Sequence, residues 1–191
     1  MSLRFVLLSL LSKEPDSGYG LGRTLHGQLN HLWDARLQQI YSELGKLETQ
    51  DLVEAESIAL ANRPAKKIYS LTPAGNVALD QWLAEPPTKA PSKNDFLVRL
   101  YCLERIPTDV IVRRLEEQRD TYQYKVRELR GRLEETVRAD PKQLGHILTL
   151  EAAVAHAEMV ATWCTRALSC VQEAAQAPPS EDPAPIAAVG S

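Results

Sequence analysis

The sequence predicts a mainly α-helical chain in two parts, and three observations predict it. Apolar residues recur at three- and four-residue spacing through most of the chain, as one face of a helix requires. Leu and Ala dominate an apolar fraction of 44% in which aromatics are only 6%, favouring helix over a β-sandwich. Glu85-Pro86-Pro87-Thr88-Lys89-Ala90-Pro91-Ser92 interrupts that pattern with prolines too close together for any helix to continue. The 191 residues therefore divide into 1–85, a linker at 86–92, a helical part at 93–176, and a proline-containing tail at 177–191 that reads as disordered.

In the first part, Leu3, Val6, Leu7, Leu10 and Leu11 form a first helical stripe. Asp16 or Ser17 can cap a second helix running from Gly18 to about Leu29. A third helix is expected over 36–50, with Leu37, Ile40, Leu44 and Leu47 as its apolar stripe. Residues 53–58 and 67–71 are short enough for strands, and Leu60-Ala61-Asn62-Arg63-Pro64-Ala65 between them is a loop by composition. Thr72-Pro73 restarts a helix, Thr as N-cap and Pro at the first helical position. Helix, helix, helix, strand, loop, strand, helix is the order of a winged helix-turn-helix.

In the second part, Pro107-Thr108-Asp109 is expected to begin a long helix reaching about Arg138, with Ile111, Leu115, Tyr122, Val126, Leu129, Leu133 and Val137 on one side. Asp140-Pro141 breaks it. The last helix carries Ile147, Leu150, Val154, Ala157, Ala161, Cys164, Leu168 and Val171 in a coiled-coil-like seam. Two such stripes exceed what a small winged domain can cover. The seam is therefore expected to make a homodimer, and an intramolecular hairpin can coexist with it.

Three segments carry a resemblance. Ser17-Gly18-Tyr19-Gly20-Leu21 opens the second helix. Ile40-Tyr41-Ser42-Glu43-Leu44-Gly45-Lys46-Leu47-Glu48 leads into Leu52-Val53. Lys66-Lys67-Ile68-Tyr69-Ser70-Leu71-Thr72-Pro73-Ala74-Gly75 follows the loop. In this order the sequence resembles the PadR family of transcriptional regulators over about residues 1–85, and Phe96-Leu97-Val98-Arg99-Leu100-Tyr101 is a looser fourth match. Ser17 stands where that family usually has His, Gly20 where it has Glu, Ser42 where it has Pro and Asp51 where it has Gly. The resemblance implies a DNA-binding repressor with a helical dimerisation extension, relieved by a small-molecule effector.

The third helix is the expected groove reader. Its stripe turns Arg36, Gln38, Gln39, Ser42, Glu43 and Lys46 outward, and Arg and Gln can pair bidentately with guanine and adenine. On the wing, Arg63, Lys66 and Lys67 are expected to meet phosphate or a minor groove. Tyr19 and Tyr41 either donate hydroxyl hydrogen bonds to phosphates or pack between helices. Trp33, Tyr101 and Trp163 are candidates to line an effector pocket, with core packing as the alternative.

Other functions find little footing. There is no nucleophile elbow, phosphate loop or dinucleotide turn, so no catalytic site and no cofactor are expected. His26 and His31, five apart, and His146 and His156, ten apart, are poorly spaced for a shared metal. Glu116-Glu117 and Glu134-Glu135 lie among arginines as ion-pairing helix faces. Cys102, Cys164 and Cys170 form no CxxC pattern, and the last two lie roughly 9 Å apart by helical rise, beyond disulfide reach. The apolar start is too short for a signal peptide and runs into Lys13-Glu14-Pro15-Asp16, so the expected location is the cytoplasm, with no membrane partner. A net charge of −3 runs against the usual basic DNA-binding domain. It keeps a second reading open: a helical adaptor whose winged domain binds another protein.

Overall fold

The computed structural model describes residues 3–60, 63–87 and 94–176, with backbone alone for 59, 60 and 63–65. The chain forms two compact units, 1–92 and 93–191. The linker expected at 86–92 lies mostly, and the tail at 177–191 wholly, outside the described residues.

In the first unit, α1 (Leu3–Leu11), α2 (Gly18–Gly27) and α3 (Leu37–Thr49) precede the hairpin β1 (Val53–Leu60) and β2 (Arg63–Leu71), and α4 (Pro73–Ala84) closes the unit. Leu7, Leu8, Leu25, Ile40, Leu44, Leu47 and Val53 are almost wholly buried in one core. Phe5 stacks on Trp82 with ring centroids 4.7 Å apart, fastening α1 to α4. Each fully buried aliphatic side chain contributes roughly 1.5–3 kcal/mol, so this cluster is the main stabilising term of the unit.

Local chemistry sets the ends of these helices. Ser17 caps α2, its Oγ accepting from the Gly20 N–H at 3.1 Å. The space a Cβ on Gly20 would need is held by the Asp16 carboxylate, 2.1 Å away, which itself accepts from the Ser17 N–H. Helix α3 ends in a Schellman turn: the Leu52 N–H donates to the Leu47 carbonyl and the Asp51 N–H to that of Glu48. Asp51 sits at φ 57°, the left-handed conformation that glycine adopts at least cost. Thr72 joins this turn to α4: its hydroxyl donates to the Asp51 carbonyl at 2.6 Å and accepts from the Gly75 N–H at 3.0 Å. A Cβ on Gly75 would stand 2.0 Å from the Leu52 carbonyl oxygen, so only glycine lets α4 approach this closely.

The strands are longer than their composition suggests. The expected loop 60–65 shrinks because Leu60 pairs with Arg63, leaving only residues 61 and 62 between the strands, outside the described residues. Pairing across the hairpin satisfies backbone groups that a six-residue loop would leave to water. Asp16 and Tyr69 exchange backbone hydrogen bonds of 3.1 and 2.9 Å, pinning the wing's base to the segment before α2.

The second unit comprises α5 (Asp95–Leu100), a 3-10 turn at Leu103–Arg105, α6 (Thr108–Ala139) and α7 (Leu144–Gln176). Helices α6 and α7 form a long antiparallel hairpin. Leu129 packs with Leu150, Val154 and Ala157, and Ile111 and Leu115 pack with Leu168. Helix α5 and the turn fold over that second cluster through Phe96, Leu100, Leu103 and Ile106. Arg130 and Glu158 bridge the two helices on the outside.

This corrects the expected dimer seam. Ile147, Leu150, Val154, Ala157, Ala161, Cys164 and Leu168 are buried within one chain, and Val171 packs partly buried beside Leu168. Helix α6 of the same chain covers the seam, so these residues have little surface left for a second copy. Val137, expected on the α6 stripe, is 43% exposed near the end of α6.

Candidate nucleic-acid interface

Helix α3 anchors the site. Ile40, Leu44 and Leu47 are fixed in the core, and the period of 3.6 residues then turns Gln38, Ser42, Gly45 and Thr49 to the opposite side. All four are exposed, with Tyr41 and Lys46 flanking the row. Leu37, expected in the buried stripe, is instead 38% exposed and lies over Gly22 of α2. As the first helical residue it sits at the edge of the core.

The expected contacts divide once their partners are known. Arg36 is the exposed N-cap residue of α3. Gln39 is engaged within the chain: its Oε1 accepts from the Arg36 N–H at 2.8 Å, satisfying one of the donors that a helix start leaves open. A Gln three residues into a helix is a known capping position, so the sequence held a signal for this role. Gln38 and Ser42 lie on the free face. Lys46 is exposed but pairs with Glu43 at 3.0 Å. Glu43, expected to point outward, keeps only 19% of its side chain accessible.

Tyr19, on α2, is 63% exposed. Tyr41 is half-exposed, and its ring lies against Gly18, where an added Cβ would stand 2.4 Å from it. The ring thus packs α3 onto the start of α2 while its edge remains accessible. Both readings of Tyr41 coexist in one residue.

Strand alternation separates the wing cations. Lys67, Tyr69 and Leu71 share the face of Val53 and Ala55, which looks onto the core, whereas Lys66 shares the outer face with Ile58 and Glu56. Lys67 reaches back to α3, its Nζ 3.1 and 3.2 Å from the two carboxylate oxygens of Glu48. That hydrogen bond, then the charge of Glu48, raises the pKa of Lys67 above the ordinary lysine value. Burial is the first cause raising that of Tyr69 beside it. Lys66 is exposed to solvent, and the side chain of Arg63 lies outside the described residues. One cluster in the sequence is therefore two faces in the fold.

The sequence reading passed over two members of the face. Gly45 lies at its centre, and a Cβ there would meet nothing within 4 Å, so packing gives no reason for glycine. Thr49 ends the row, its hydroxyl donating to the Gly45 carbonyl at 2.8 Å. Periodicity alone places both.

The three effector candidates divide between the two units. Trp33 packs against the core of the first unit. In the second, Trp163 packs edge-on against Phe96, centroids 6.3 Å apart, and Tyr101 is 89% exposed. Burial raises the pKa of Cys164, as expected of an inert packing thiol. Among the described residues no cluster of His, Cys, Asp and Glu could hold a metal ion, and no helix is long and apolar enough to cross a membrane.

Comparison with known proteins places this arrangement. Residues 7–81 match the transcriptional regulator PadR-like family, and residues 92–171 match the C-terminal domain of virulence activator alpha. The chain is 26% identical to the negative transcriptional regulator PadR of Bacillus subtilis over 178 residues, 90% of this chain and 98% of the relative. It is 35% identical over 86 residues to a probable transcriptional regulator of Mycobacterium tuberculosis, covering 45% of this chain and 46% of that one. The B. subtilis PadR structure in complex with operator DNA aligns with TM-score 0.80 at 25% identity, over 88% of this chain and 98% of that one. Its structure with p-coumaric acid aligns with TM-score 0.76 at 25% identity, over 89% and 98%. The winged unit matches the PadR-like family of transcriptional regulators, and over both units the chain is similar to PadR of B. subtilis.

Proposed function

We propose that this chain is a homodimeric repressor that binds a pseudo-palindromic operator in double-stranded DNA and releases it when a small molecule binds. It acts by binding, in the cytoplasm, with no catalytic step. One observation carries the reading: α3 offers a continuous polar row, Gln38, Ser42, Gly45 and Thr49, while its opposite side is locked in the core. A helix held in this way can enter a major groove without unfolding anything behind it. Gln38 and Ser42 then read base edges, and Arg36 and Lys66 meet phosphates. Lys67 must exchange Glu48 for a phosphate before it contributes. The likeness to B. subtilis PadR, solved with operator DNA and with p-coumaric acid, supports both the DNA and the effector.

The dimer draws its support from the outer side of α7. Leu144, Leu148, Ala152, Ala155 and Met159 recur four, four, three and four apart, and all are exposed. Such a stripe loses its contact with water by pairing with a second copy. Two recognition helices then stand about one DNA turn, ~34 Å, apart.

Electrophoretic shift on the DNA upstream of the protein's own gene tests the reading. Gln38→Ala and Ser42→Ala are expected to lose ~1–3 kcal/mol for each base contact removed, with circular dichroism unchanged. No shift at low salt, where phosphate contacts are strongest, overturns DNA binding and favours a protein partner for the winged unit.

A further inference from the structure

We propose that Glu48 and Lys67 are positioning residues for DNA recognition: their ion pair ties the wing to α3 and sets the angle at which the wing tip meets the duplex. The core of the first unit reaches out along the hairpin only as far as Ala55 and Tyr69. Strand alternation makes Lys67 the next residue on the same face of β2. There the attachment changes from apolar packing to charge. The Lys67 ammonium donates to both carboxylate oxygens of Glu48, at 3.1 and 3.2 Å, and stands 6.0 Å from the centroid of the Tyr69 ring. Glu48 lies in the last turn of α3, seven residues from Tyr41 and so on the same flank of the helix. Tyr41 fastens that flank to α2, and Glu48 fastens it to the wing.

Farther out, Ser57, Ile58 and Lys66 make no hydrogen bond or ion pair to a helix among the described residues. A hairpin of two strands has little rigidity of its own, so its outermost tie decides where the tip stands. From Lys67 the strand runs on to Arg63, roughly 13 Å at the usual rise per residue. A tilt of about 10° at Lys67 therefore moves the tip by about 2 Å. That exceeds the ~0.5 Å spread of good hydrogen-bond distances, so a tilted wing misses its contacts. The pair does this without coming apart. A phosphate drawn to the Lys67 ammonium is repelled by the carboxylate whose two oxygens already hold it. Both side chains are part-exposed, 50% for Lys67 and 38% for Glu48, and such pairs add little to folding stability. Their loss is therefore read in DNA recognition and not in unfolding.

The proposal rests on α3 as the groove reader and adds to it two residues that govern specificity while touching no base. Glu48→Ala, Lys67→Met and the double variant are made in the full chain. Each is titrated with two duplexes of equal length, one that the native chain selects from a randomised pool and one of the same composition in scrambled order. Charge alone moves both duplexes together. On scrambled DNA, Glu48→Ala frees a cation and is expected to bind roughly two- to fivefold tighter, its slope of log affinity against log salt steeper by ~0.9. Lys67→Met leaves a lone carboxylate and is expected to bind more weakly, and the charge-neutral double variant as the native chain does. The ratio of selected to scrambled affinity is expected to fall by about fivefold or more in all three, with urea midpoints unchanged. The proposal is overturned if Glu48→Ala keeps or raises that ratio, which would make Lys67 a phosphate contact that Glu48 merely restrains. It is overturned if the double variant regains the native ratio, because the pair then acts through charge alone. A urea midpoint that falls along with the ratio also overturns it, by making the pair a prop of the whole unit. A native chain that selects no sequence defeats the reading of α3 itself, whereas selection by the native chain with an unmoved ratio in the variants defeats the tie alone.

Discussion

Helices α3 and α7 are built on the same plan and differ in what they leave over. Each buries one stripe: Ile40, Leu44 and Leu47 in α3, and Leu150, Val154, Ala157, Cys164 and Leu168 in α7. The far side of α3 is polar, with Gln38, Ser42 and Thr49 around Gly45. The far side of α7 is apolar over its first half, with Leu144 and Met159 each more than half exposed. The buried stripe tells only how a helix is held. What it is held for is written on the opposite face: hydrogen-bonding groups for a polar partner on α3, bare apolar surface for an apolar partner on α7. The two helices therefore respond differently to the same kind of change, and four variants test this.

The largest effect is expected inside α7. Leu150 has no exposed surface. Leu150→Glu places a carboxylate there without a partner and is expected to cost several kcal/mol, on the order of 3–5, enough to melt the hairpin. Urea unfolding and far-UV circular dichroism check it. A folded monomer would mean that the seam faces a second chain after all.

Charging the other side of α7 is expected to do the reverse. Leu148→Lys with Met159→Lys lies on exposed positions, so hairpin stability should move by only about 0.5 kcal/mol. The dimer should dissociate and operator affinity fall with it. Sedimentation reads the mass; a dimer of unchanged strength places the interface on another surface.

On α3 the informative residue is Gly45. Glycine inside a helix costs roughly 0.5–1 kcal/mol relative to alanine, and a Cβ at position 45 meets nothing. Gly45→Ala is expected to raise the urea midpoint by that much and to lower DNA affinity, because the added methyl stands on the face that approaches the groove. A stability gain with undiminished affinity would remove the centre of α3 from the contact.

The smallest effect is expected at the end of α3. Asp51 holds φ 57°, where glycine is least strained. Asp51→Gly is expected to stabilise the first unit by about 0.5 kcal/mol without altering DNA affinity, as read from the urea midpoint and gel shift.

Some of this was legible in the sequence because its cause is local. Ser17 and Thr72 cap the helices they precede, since capping needs only an oxygen and an N–H three residues on. The stripes of α3, α6 and α7 follow from a period of 3.6 residues, and the proline cluster at 85–92 stops any helix by itself. The family motifs belong to the same class. Gly75 and Asp51 mark a close approach and a left-handed turn within a short stretch of chain, though only the fold brings up the Leu52 carbonyl that excludes a Cβ at Gly75.

What the tertiary structure decided is which surface each face meets. Periodicity shows that Leu150 and Cys164 share a side of α7, but whether α6 of the same chain or a second copy fills it depends on how a 32-residue helix folds back. The wing cations are adjacent in sequence, yet pleating sends Lys66 outward and gives Lys67 to Glu48, nineteen positions away. Local chemistry fixes which residues share a face, because a helix repeats every 3.6 residues whatever surrounds it. The occupant of that face is a non-local outcome, set by distant segments whose packing no short window of sequence contains.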